Sequence, residues 1–111
     1  MLYLKQPDAP KKQLVPFVSS TYSTSKRVIE LLKIKEDDKL LDLGCGDGRI
    51  LFTAVEMRNC KGIGIDINED LIDECNKQIL IKNFQRNLNF LLMIFQEMIL
   101  IFIIAIVYVF I

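Results

Sequence analysis

The run Leu40-Leu-Asp-Leu-Gly-Cys-Gly-Asp-Gly-Arg-Ile50 sets a short apolar segment directly against glycines at every second position. An apolar run closed by glycines reads as a buried strand ending in a tight turn. The residues that follow change period: Ile50, Leu51, Ala54 and Val55 fall on one helical face, which predicts a helix from Gly48 to Met57. A strand that turns through glycines into a helix is the opening of a βαβ unit. It commits the chain to an α/β architecture with a parallel sheet.

The flanking segments continue that alternation. Lys39 to Leu43 is entered from the charged turn Glu36-Asp37-Asp38, and Ile63, Ile65 and Ile67 alternate with Gly64 and Asp66 as a second strand. Asn68 is a suitable N-cap for a third helix, since Glu69 and Asp70 favour a helix N-terminus and Leu71, Ile72, Cys75 and Ile79 carry the helical spacing to about Lys82. Leu88 to Leu92 supplies a third strand. Upstream, Val28, Leu31 and Leu32 predict a helix from Ser23 to Lys33, with N-cap side chains offered by the hydroxyl cluster Ser19 to Ser25. Residues Met1 to Val18 hold all three prolines, Pro7, Pro10 and Pro16, which favours an extended lead-in arm.

Composition narrows the partners. With 111 residues the chain is one small domain, and 14 basic against 14 acidic residues leave no electrostatic footprint for nucleic acid. The absence of histidine removes Ser-His-Asp and Cys-His nucleophile pairs and every histidine-containing zinc site. Cys45, Cys60 and Cys75 are odd in number and widely separated, and nothing before Pro7 reads as a secretory signal. The expected setting is a reducing, intracellular compartment.

The glycine turn and the acids around it suggest a ligand. Such a turn lets a ligand approach the backbone and meet helix N-terminal N–H groups. A dinucleotide fingerprint would need Gly or Ala where Arg49 stands, and Asp42 would repel a pyrophosphate while attracting an ammonium group. Asp66, at the end of the second strand, can accept both hydroxyls of a ribose. Together these features fit an adenosine ligand without phosphates and with a positive charge, of which S-adenosylmethionine is one. Taken singly, the glycine turn is also a common βα connection and the strand-end acid a common helix cap.

Leu40 to Ile50 resembles the first motif of class I S-adenosylmethionine-dependent methyltransferases, and Gly62-Ile-Gly-Ile-Asp-Ile67 resembles their second-strand motif. Val15-Pro-Phe-Val-Ser-Ser-Thr21 is similar to the V-P-[YF]-V-P-[ST]-P lead-in of a protein-lysine methyltransferase group with archaeal and mitochondrial members. The resemblance implies a Rossmann-like fold of which this chain carries the N-terminal half, strands 1 to 4, as a partial domain over residues 19–111. It implies S-adenosylmethionine as cofactor, no metal, and a lysine side chain of a protein as substrate. Asp42, Gly44, Gly46 and Gly48 would surround the methionine part of the cofactor, Asp66 would hold the ribose, Ser20 and Thr21 would lie over the cofactor, and Cys45 in the same loop would also be a cofactor-binding residue. A cytoplasmic or mitochondrial location would follow. Ser19 and Thr21 replace two prolines of the lead-in.

Beyond the third strand the resemblance breaks. Met93 and Ile94 stand where the family has a Gly-Asp pair whose acid approaches the adenine amino group, and from Leu88 to Ile111 the only charged residue is Glu97. Ile104 to Ile111 has the β-branched and aromatic character of a fourth strand. Two alternatives stand beside that reading: a damaged reading frame, or a membrane anchor over Phe90 to Ile111, 22 residues against the roughly 20 a bilayer needs. The corresponding functional alternatives are a truncated, non-catalytic remnant and a membrane-anchored cofactor-binding module. Tyr22 and Tyr108 are catalytic candidates by residue type alone, and packing in the core is the favoured reading for both.

Overall fold

In a computed structural model the described residues are 2–8, 11–16 and 22–110, with side chains described from 22 to 104. A five-stranded sheet runs in the order β2-β1-β3-β4-β5. Its parallel part is β3 (Lys39–Leu43), β4 (Lys61–Asp66) and β5 (Leu88–Leu92). The helices α1 (Tyr22–Leu31), α2 (Arg49–Arg58) and α3 (Glu69–Lys82) alternate with these strands. The α/β class and the three parallel strands follow the reading of the sequence, with helix boundaries displaced by one or two residues.

One face of the sheet carries the main core. Leu40, Leu88 and Phe90 pack with Val28, Ile29 and Leu32 of the α1 region, the continuous buried stretch Ile50–Val55 of α2, and Ile72, Cys75 and Ile79 of α3. Because side chains alternate across a strand, Leu41, Ile63 and Leu91 point to the opposite face. That face is partly open: Ile63 is 41% and Leu91 44% exposed.

Leu2–Asp8 (β1) and Lys11–Pro16 (β2) pair antiparallel as a hairpin, and β1 also pairs antiparallel with β3 over Leu2 to Lys5. The register with β2 is irregular between Lys5 and Asp8, the stretch that contains Pro7, whose nitrogen has no hydrogen to give a ladder.

The tail corrects the reading of the sequence. Phe95–Phe110 forms a single helix, α4, so the described part of the expected fourth strand, residues 104–110, is helical and Ile111 lies outside the described residues. In a doubly wound sheet the next parallel strand would join the edge of β3, where the strand order reverses. Here β1 takes that edge, and a helix satisfies the tail's backbone groups within itself. Apolar periodicity does not separate a buried strand from an apolar helix. Among the described residues no helix is long and apolar enough to cross a membrane. The 16 residues of α4 rise about 24 Å, less than a bilayer core, and Phe90 to Leu92, the start of the span read as an anchor, belong to β5.

Candidate cofactor site

The site forms where β3 ends. Gly44, Gly46 and Gly48 all have positive φ, at 75°, 58° and 78°, so the chain turns from strand to helix through left-handed backbone. The loop is pinned to the neighbouring strand: the N–H groups of Gly44 and Cys45 both donate to the Ile65 carbonyl, at 2.7 and 3.0 Å. Gly48 is required twice over. Its φ is in the left-handed region, and a methyl group there would lie 2.8 Å from Phe90 Cζ and 2.9 Å from Phe52 Cε2. The two rings, 5.4 Å apart between centroids, are thus the floor on which the N-terminus of α2 rests. Asp47, one residue before the N-cap Gly48, is held against the first residue of α2. Its Oδ1 accepts from Arg49 N at 3.0 Å, and its Oδ2 pairs with the Arg49 guanidinium at 2.9 Å.

Asp66 is already engaged. Its Oδ2 accepts from Gly46 N at 2.9 Å and its Oδ1 from Asn68 N at 2.9 Å, so one carboxylate joins the glycine loop to the start of α3. Asn68 in turn caps α3 by accepting from Leu71 N at 3.2 Å. A carboxylate has about four acceptor directions, so two remain for a ligand's hydroxyls. The sequence marked Asp66 as a ligand residue but gave no sign that it also orders the loop.

Asp42 is the electrostatic anomaly. It is fully buried on β3, and among the described residues neither carboxylate oxygen has a hydrogen-bond partner. Burial raises its carboxyl well above the ordinary carboxylate range. A buried carboxyl with no donor costs about 1–3 kcal/mol or more, which a fold tolerates where a ligand relieves it. The donor that fits is cationic, since the surrounding acids repel anions and reward positive charge.

Cys45, Gly44 and Gly46 lie in the loop as the sequence placed them, and the structure brings them together with Asp42 and Asp66. Ser20 and Thr21 lie outside the described residues. Met93 sits at the mouth of the site, its N–H donating to the Asp66 carbonyl at 3.0 Å, and Ile94 beside it is exposed. No side-chain carboxylate therefore stands at these two positions. Tyr22, read from the sequence as a core aromatic, is 52% exposed, with the Lys26 ammonium 4.5 Å from its ring centroid. The side chain of Tyr108 lies outside the described residues. A cleft of about 400 Å³ beside the loop is lined by Tyr22, Asp47, Arg49 and Phe52, but not by Asp42 or Asp66.

The sequence reading missed Cys75. Its thiol, on the buried face of α3, donates to the Gly46 carbonyl at 3.5 Å. The signal was present in the helical spacing Ile72, Cys75, Ile79, which turns Cys75 toward the sheet. Nothing in the sequence showed that the glycine loop lies opposite.

Comparison with known proteins agrees with this geometry. Residues 34–101 match a family model described as a methyltransferase domain. A protein-lysine N-methyltransferase of Saccharolobus islandicus is 43% identical over 61 residues, covering 54% of this chain and 38% of that protein. A histone-lysine N-methyltransferase of Dictyostelium discoideum, specific for lysine 79 of H3, is 42% identical over 45 residues, 40% of this chain and 2% of that protein. Among solved structures, an RNA methyltransferase from Salinibacter ruber in complex with S-adenosyl-L-homocysteine superimposes with a TM-score of 0.64 at 31% identity, over 68% of this chain and 50% of that one. The chain thus spans half or less of the length of these relatives. A family match across most of the chain, a Rossmann-like sheet and a glycine loop between paired acids lead to one assignment: this chain belongs to the methyltransferase-domain family of class I S-adenosylmethionine-dependent enzymes.

Proposed function

We propose that the chain binds S-adenosylmethionine at the end of β3 and takes part in methyl transfer to a lysine side chain of a protein. The observation that carries the proposal is the buried carboxyl of Asp42 beside the glycine loop, which has no hydrogen-bond partner among the described residues. Asp42 would hold the ammonium of the methionine part, the backbone of Gly44, Cys45, Gly46 and Gly48 would line it, and Asp66 would take the ribose hydroxyls. Ser20 and Thr21 would close over the cofactor. Bound there, the cofactor supplies a methyl group already activated on a sulfonium.

The chain's own contribution is positioning and charge. The acids Asp42, Asp47 and Asp66 act on one another electrostatically and favour a ligand that carries positive charge. Asp66 couples ligand binding to loop order, because the same carboxylate holds Gly46 and Asn68. In-line displacement on an activated carbon needs mainly alignment of a neutral amine, which is a matter of orientation. Desolvation of the incoming lysine lowers its pKa and supplies the neutral amine.

Lysine as acceptor is supported by similarity to the Saccharolobus and Dictyostelium enzymes and by the absence of net positive charge that an RNA substrate would reward. The test is transfer of a labelled methyl group to an acid-extracted protein mixture, with mass mapping of the modified residues. Label on lysine side chains is expected. Label on RNA alone, or on arginine alone, would refute the lysine assignment.

A further inference from the structure

Cys45 and Cys75 are thirty positions apart in sequence and the proposed function gives their thiols no role, yet the two thiols meet at one atom. Both point at the carbonyl oxygen of Gly46, Cys75 Sγ at 3.5 Å and Cys45 Sγ at 3.9 Å. Both residues are free and buried, at 1% and 4% exposure. The third cysteine, Cys60, is buried next to the start of β4 and shares neither contact.

From this juxtaposition we infer that Cys45 and Cys75 are a reversible disulfide site that ties the glycine loop to α3 and lowers affinity for the cofactor. The second half of that statement rests on the proposed function; the first does not. The reaction is exchange with a small-molecule disulfide. One thiol loses its proton, and the thiolate attacks a sulfur of the oxidant, forming a mixed disulfide and releasing one thiolate. The other protein thiol, once deprotonated, attacks the protein sulfur of that mixed disulfide and releases the second thiolate. Two protein thiols are oxidised, one external disulfide is reduced to two thiols, and the protein loses two hydrogen atoms.

The two sides of the pair differ in freedom to move. Cys75 lies between Ile72 and Ile79 in the packed face of a 14-residue helix, whereas Cys45 is flanked by Gly44 and Gly46, both at positive φ. Bonded sulfurs are about 2.05 Å apart, so the loop is the part that yields. Oxidation also removes both S–H donors from the Gly46 carbonyl, and the adjoining Gly46 N–H is the group that Asp66 holds. The bond that orders the loop is disturbed from the neighbouring peptide unit. Before oxidation, the hydrogen bond with Cys75, followed by burial, pushes the Cys45 thiol far above its ordinary range. Exchange is therefore slow near neutral pH and accelerates as pH rises. Since the cofactor favours the ordered loop, it lowers the equilibrium constant for forming the disulfide by the same factor by which the disulfide weakens its binding.

The experiment exposes the native protein to oxidised glutathione, with and without S-adenosylmethionine, and maps disulfides by mass spectrometry without reduction. The expected product is an intramolecular Cys45–Cys75 bond, reversed by dithiothreitol, with an equilibrium constant against a glutathione redox buffer at least ten-fold lower when the cofactor is saturating. Cofactor affinity, measured by calorimetry, is expected to fall at least ten-fold on oxidation. Cys75→Ser, which keeps a donor for the Gly46 carbonyl, should bind cofactor like the reduced protein and be indifferent to oxidant. Failure of the pair to form under conditions that leave the protein folded overturns the inference, as does a mapped Cys45–Cys75 bond with unchanged affinity. A mapped, reversible bond in a protein whose reduced form binds no cofactor would uphold the disulfide site and refute the proposed function instead.

Discussion

Replacing Asp42 with asparagine separates the two roles the structure gives that carboxyl. In the folded protein its pKa is raised, chiefly by burial, whereas in the unfolded chain it returns to the ordinary range. Between those two values the folded state holds a proton that the unfolded state has lost. Asp42 therefore contributes stability that is fully present below the unfolded pKa and is lost as pH rises through the folded one. One proton of difference gives a slope of at most about 1.4 kcal/mol per pH unit, and each kcal/mol moves the midpoint of a domain this size by roughly 4–8 °C. Asp42→Asn removes this component, so the gap in stability between variant and wild type should change with pH across the window. Thermal melts of both proteins from pH 4 to pH 9 would measure that gap. Cofactor binding should show the same carboxyl from the other side: an arriving ammonium draws the proton off Asp42, so the calorimetric heat should vary with the ionisation enthalpy of the buffer. The variant should lose that dependence and bind about 10- to 150-fold more weakly, the equivalent of about 1.5–3 kcal/mol for a hydrogen bond to a charged group. A stability gap that is flat with pH, or a wild-type heat independent of buffer, would refute the reasoning.

Other residues give simpler outcomes. Gly48→Ala, with positive φ and a methyl group pressed on Phe90 and Phe52, should cost about 1–2 kcal/mol for the backbone alone, read as a lowered denaturant midpoint. Phe90→Ala empties the floor beneath the loop and should cost about 3–5 kcal/mol by the same measurement, enough to unfold a marginal domain. Lys82→Ala breaks an exposed pair with Glu56 at 3.3 Å and should change stability by less than about 1 kcal/mol. Ile94→Asp places an acid at the mouth of the proposed site and should tighten cofactor binding by roughly 2- to 10-fold in a calorimetric titration.

The glycine loop and the parallel strands were legible because local rules and tertiary packing agree there. The spacing of Gly44, Gly46 and Gly48 already demands a turn, and the alternation of Ile63, Ile65 and Ile67 demands a strand. Asp66 was legible as a strand-end acid, yet its grip on Gly46 depends on a neighbour twenty positions away. The meeting of Cys45 with Cys75 was hidden for the same reason, since only the crossing of α3 over the loop creates it. The hairpin of β1 and β2 escaped because three prolines favour extended chain but do not say what it pairs with. The tail escaped because sixteen nearly uncharged residues suit strand and helix alike, and the decision lay in which sheet edge was already taken.

The central claim is that β3 delivers Asp42 and the glycine loop, and β4 delivers Asp66, to a single S-adenosylmethionine site. A calorimetric titration of S-adenosylmethionine into wild-type protein and into Asp66→Ala, each verified as folded by circular dichroism, tests it most directly. The account predicts saturable one-to-one binding by the wild type and none by the variant. Intact binding in Asp66→Ala, or no binding by folded wild type, would contradict it.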